Sequence, residues 1–156
     1  MTEVVNRQPG WRLDVIVLER ETSLDKAVHT AAEPSDEQIG SMIVVAEEMA
    51  ANGHLPYAYV AALSSLEAVM RSICKNTEFY PHNTTIDCLR NIYGLDLLSR
   101  DQFVWLRDAF KVLSQIVHGL VPRTIARESI HFVTAISKYL LYGIEATGPP
   151  PAPPLE

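Results

Sequence analysis

The sequence predicts an all-α protein, an antiparallel bundle of four to five helices with one N-terminal β-strand. Three observations carry that prediction. Apolar residues recur at steps of three and four through most of residues 35–146, the spacing of a buried helical stripe. Start and stop signals punctuate the same region, with Ser35, Pro56 and Ser99 opening helices and Gly53 and Gly119 closing them. Only the segment from Trp11 to Glu19 alternates at period two, and no second segment follows it that would pair with it.

The elements follow in chain order. Trp11, Leu13, Val15 and Val17 share one face of the strand, and Ile16 and Leu18 make its far end apolar on both. A lone strand leaves its backbone groups unpaired, so it calls for the strand of a partner molecule or a sheet in a domain outside this chain. Residues 1–34 are therefore read as strand and linker. Ser35 with Gln38 three residues on is a capping box, and Ile39, Met42, Ile43, Ala46, Met49 and Ala50 form the first buried stripe, stopped by Asn52-Gly53.

Pro56 begins a second helix, from about Leu55 to Lys75, that is apolar on much of its circumference and so belongs at the centre. A short helix from Thr84 to Tyr93 ends at Gly94. Ser99 caps a long helix whose Phe103, Leu106, Phe110, Leu113, Val117 and Leu120 face the core over five turns. The last helix, from about Ile125 to Ile144, buries Phe132, Val133, Ile136, Leu140 and Leu141. Residues 147–156, half of them proline, read as an extended, disordered tail, with Leu155-Glu156 resembling vector sequence.

Composition narrows the function classes. With 47% apolar residues in 156, the chain can bury an ordinary core without metal or disulfide staples. A net charge of −6 argues against a surface built for nonspecific attraction to nucleic acid. Cys74 and Cys88, the two cysteines, lack CxxC spacing and sit in helical patterns, which reads as reduced core thiols of a cytoplasmic protein. No apolar run approaches the roughly 20 residues of a membrane span. No metal-ligand or nucleophile-base spacing can be built from His29, His54, His82 and His131, so neither cofactor nor metal is expected.

Two polar stripes remain. On the long helix, Arg107, Lys111, Ser114 and His118 recur at helical spacing beside the buried face. On the second helix, Ser64, Glu67, Arg71 and Lys75 do the same. The turn Ser114-Gln115-Ile116-Val117-His118-Gly119-Leu120 resembles the Arg-Asn-x-x-x-His turn of the HEPN superfamily of small α-helical domains. The phrase Ala61-Ala62-Leu63-Ser64-Ser65-Leu66-Glu67-Ala68-Val69-Met70-Arg71 is similar to a helix that such regions carry behind endonuclease-like domains in bacterial defence proteins. The likeness spans roughly residues 35–145, and Trp11 to Glu19 also looks like the last strand of such a nuclease domain.

The resemblance implies a homodimer. In active members it also implies metal-independent RNA cleavage by an arginine and a histidine lining the dimer cleft. His118 matches the histidine, but Leu113 and Ser114 stand where the family carries arginine and asparagine, and leucine supplies no cation for a phosphate. The reading that follows is a noncatalytic HEPN-like interaction and dimerisation module of a defence or nucleic-acid-processing protein. The alternative is a divergent ribonuclease that combines His118 with Lys111, or with Arg71 and Glu67. Each residue has a plainer role: His118 can complement the carbonyls ending its helix, the Arg107–Lys111 stripe can be a solvated face, and Glu67–Arg71 an exposed salt bridge.

Overall fold

In a computed structural model of the chain, residues 32–75, 84–120 and 124–155 are described. They form α1 (Asp36–Ala51), α2 (Leu55–Lys75), α3 (Thr85–Gly94), α4 (Arg100–Val117), α5 (Arg127–Tyr142) and a single turn, α6 (Ile144–Thr147). No strand occurs among the described residues, and the segment from Trp11 to Glu19 lies outside them. No described helix is long and apolar enough to cross a membrane.

The expected caps Ser35 and Ser99, joined by Thr84, set three helix starts. Ser35, Thr84 and Ser99 each accept from the backbone of the third residue of their helix, while Gln38, Asp87 and Gln102 reach back to the cap N–H. Two ends differ from expectation. Gly94 lies within α3, and Asp96 (φ 58°) takes the left-handed position, its N–H reaching the Tyr93 carbonyl while Leu97 reaches Ile92. An aspartate tolerates that conformation through its short polar side chain, so the turn does not need the glycine. The last helix starts later than expected, at Arg127, and breaks at Gly143 (φ 82°) before α6.

Helix α2 is the centre of the bundle, packing against α1, α3, α4 and α5. Its contact with α1 is lined by small residues: Ala46 and Ala50 on one helix, Ala58 and Ala62 on the other, all fully buried. Small side chains let the two backbones approach, and larger ones fill the flanks at Leu63, Leu66 and Met70. The buried hydroxyls of Ser65 and Ser137 donate to the Ala61 and Val133 carbonyls of their own helices at 2.8 Å, so neither is left unsatisfied.

Helix α5 runs antiparallel to α1. Lys138 pairs with Glu47 at 2.7 Å, and Tyr142, a turn later, abuts Gly40 near the start of α1. A second cluster, Ile39, Ile43, Ala68 and Val69, closes that end with partial cover from Leu140 and Leu141. These two leucines are half-buried, where the sequence pattern had them fully inside.

The apolar stripe of α4 is buried only in part. Leu106 and Phe110 are in the core, Phe103 and Leu113 are half-buried, and Val117 and Leu120 are 69% and 63% exposed. The core-facing run is therefore shorter than five turns: Val112, Leu113 and Ile116 still pack against the core, while Val117 and Leu120 lie beyond it. Tyr93 stacks on Phe103 with centroids 4.9 Å apart, and Trp105 meets Phe132 of α5 edge-on at 4.8 Å.

Candidate functional site

The four residues singled out from the sequence fall into two groups. On α2, Arg71 stands between two carboxylates, with Nε 3.2 Å from Glu33 and Nη1 3.4 Å from Glu67. Glu67 in turn accepts from the Thr85 hydroxyl at 2.6 Å, a bond that ties α2 to the first turn of α3. A guanidinium facing two carboxylates has its charge answered already. Its fork would have to give up one of them to take a phosphate.

On α4 the pattern is similar. Asp108 accepts from Lys111 at 2.8 Å and from Arg107 at 3.2 and 3.4 Å. Lys111 first and Arg107 second hold the Asp108 carboxyl below the usual carboxylate range. One acid thus answers both cations of the stripe, in solvent-exposed pairs that water and salt screen. Glu67 and Arg71 do meet, as expected from their spacing, but no hydrogen bond or ion pair among the described residues joins them to Lys111 or His118.

His118 is the residue that caps α4, and its position is set by backbone chemistry. Gly119 (φ 82°) takes the left-handed conformation, its N–H reaching Ile116 at 2.9 Å, while Leu120 reaches Gln115 at 2.9 Å and His118 reaches Ser114 at 3.1 Å. Those bonds are a Schellman motif, the standard way to satisfy the last carbonyls of a helix. They explain Gly119 and leave the imidazole aside. The ring is exposed and makes no hydrogen bond or ion pair among the described residues. Leu113 packs half-buried against the core, and Ser114 is exposed.

Cys74, Cys88 and Tyr59 fall at core positions of the sequence pattern, but their partners, and a groove beside α4, have no sequence signature. Cys74 and Cys88 approach each other across α2 and α3, with Cys74 Sγ 3.9 Å from the Cys88 carbonyl, and both are buried. Burial first and the Cys74 thiol second push the Cys88 thiol up to about 12, which makes it a poor nucleophile. Tyr59 of α2 is buried beneath α4. Burial raises its phenol to about 12, and its hydroxyl donates to the Ala109 carbonyl at 3.4 Å.

The groove, of about 1140 Å³, is walled by Trp105, Val104, Ile125 and the proline tail. The proline tail, irregular through Leu155, lies against α4. The buried Gln102 side chain donates to the Pro151 carbonyl at 2.7 Å, and Pro153 and Pro154 are half-buried. Only the capping half of this arrangement, Ser99 with Gln102 three residues on, has a signature in the sequence. No group of three or more His, Cys, Asp or Glu residues placed to hold a metal occurs among the described residues. Comparisons with protein-family models, curated proteins and solved structures find no match to this chain.

Proposed function

We propose that the chain is a noncatalytic helical interaction module, HEPN-like in its helix order, that pairs with a second copy of itself through the distal end of α4. The carrying observation is that Val117 and Leu120 continue the core stripe beyond the bundle at 69% and 63% exposure, with half-buried Leu113 at the boundary. An apolar stripe that outlasts its cover is what an association surface presents. The noncatalytic part rests on charge. Lys111 is engaged by Asp108 and Arg71 by Glu33 and Glu67, so neither of the two cations considered as partners of His118 is uncommitted among the described residues.

The setting proposed is cytoplasmic, within a defence or nucleic-acid-processing system, and the two reduced, buried thiols agree with a reducing compartment. Light scattering tests the pairing. The native chain is expected as a dimer, and the Val117→Glu/Leu120→Glu variant as a folded monomer. A native chain that stays monomeric at every concentration overturns it. Labelled RNA incubated in EDTA tests the rest. No cleavage is expected, and cleavage that vanishes in His118→Ala would establish the ribonuclease instead.

A further inference from the structure

The geometry points to the face of α4 around Gln102 and Trp105, at the edge of the groove, as a polyproline-binding site, which the chain's own carboxy-terminal segment occupies in cis and which a proline-rich peptide can take in trans. The reasoning starts with the tail itself. In Pro149-Pro150-Pro151-Ala152-Pro153-Pro154 every residue is a proline or precedes one, which favours extended, polyproline II geometry after the turn at Gly148 (φ 75°). Such a strand has no internal hydrogen bonds. Its carbonyls point outward as acceptors, and it binds where an aromatic groove is accompanied by side-chain donors.

Both parts are present. Trp105 is half-buried, braced edge-on by Phe132, and lines the groove together with Pro153 and Pro154. Gln102 supplies the donor. It is only 5% exposed, and its two amide atoms have separate duties: Oε1 accepts from the Ser99 N–H at 2.8 Å and Nε2 donates to Pro151 at 2.7 Å. The capping bond fixes the orientation of the amide and so aims the donor at the carbonyl. A buried glutamine whose second bond goes to a segment 49 residues away is part of a built contact.

Charge adds a preference. Among the described lining residues Asp101 and Glu128 face Arg100, while Asp108 is already paired with Lys111 and Arg107, and the small acidic excess suits a peptide with a basic flank better than an acidic one. The tail already occupies one wall, and a competing ligand must therefore displace it. This site is separate from the distal end of α4 and does not rest on the pairing proposed above.

The test uses the full chain. In a variant with Pro150, Pro151, Pro153 and Pro154 all changed to serine, the Gln102 side-chain amide and Trp105 indole resonances should move from their native positions. An unlabelled peptide with the sequence of residues 148–155 should return them as it saturates. The native chain should bind that peptide about tenfold more weakly, because its own tail competes at an effective concentration of order millimolar. Gln102→Glu in the serine background keeps the capping acceptor and removes the donor, so helicity should persist while peptide binding falls at least about tenfold. Equal affinity for the native and serine chains, no binding to the serine chain, or shifts mapping away from Gln102 and Trp105 would each overturn the proposal.

Discussion

The two halves of α4 share one apolar pattern and differ in what covers them. Along the first half, Leu106 is fully buried, Phe110 nearly so, and Tyr59, Tyr93 and Phe132 close around the helix from three neighbours. Along the second half the same periodicity continues through Leu113, Val117 and Leu120, and burial falls away. Spacing therefore reports which residues share a face. Whether another element lies over that face depends on where the neighbouring helices end, which is a property of the assembled bundle.

The largest effect expected is at the covered half. Leu106→Ala should cost about 2–5 kcal/mol in urea unfolding, since it removes buried methyl groups and leaves a cavity among close-packed helices. Val117→Ala should cost less than about 0.5 kcal/mol in dilute protein. The contrast sharpens with concentration. If two copies meet at this end, the penalty at Val117 grows as protein concentration rises, because association stabilises the folded state by mass action. Equal penalties for the two substitutions in dilute solution would break the comparison.

The same contrast explains how much could be read in advance. Capping boxes at Ser35 and Ser99, the Gly53 and Gly119 stops and the central position of α2 are local or compositional, and each was legible. The Glu67–Arg71 pair was legible because four residues along a helix fix a distance. What was not legible depends on contacts between distant segments. Asp108 as the holder of Lys111 is local, yet it competes on paper with every other acid nearby. Glu33 on Arg71, Thr85 on Glu67, Glu47 on Lys138 and Gln102 on the proline tail join residues 18 to 91 apart, and no period announces them. Composition favours an extended backbone in the tail but is silent on whether a donor waits for its carbonyls.

A second, smaller effect is expected at the boundary between the halves, where Tyr59 reaches Ala109. The hydroxyl bond is long at 3.4 Å, so Tyr59→Phe should cost no more than about 1 kcal/mol near neutrality. Alkali should reverse the order. A phenol raised from 10 to about 12 by burial contributes stability that is whole below pH 10 and is lost as pH rises through 12, because the unfolded chain ionises first. The phenylalanine variant lacks that loss, and the Cys88 thiol titrates alike in both proteins. Urea midpoints of the two should therefore converge above pH 10 and cross before pH 12. A gap that stays constant across this range would mean that the ring is not enclosed and that α4 is loose there too.

The smallest effect expected asks whether exposed helix ends elsewhere yield as the distal half of α4 should. Gly40 lies inside α1, where glycine costs about 1 kcal/mol relative to alanine. A methyl group there would meet the Tyr142 hydroxyl of α5 and no backbone atom. Tyr142 is 51% exposed, and its hydroxyl is the far end of a side chain that can swing toward solvent. Gly40→Ala should therefore be stabilising by a few tenths of a kcal/mol, the propensity gain less the cost of moving the ring. Tyr142→Phe, which clears the obstructing oxygen, should let the alanine variant recover nearly the full gain of about 1 kcal/mol. If Gly40→Ala instead costs about 1–3 kcal/mol and Tyr142→Phe relieves it, that end of the bundle resists like the buried half of α4, and exposure alone does not mark the parts of this fold that can move.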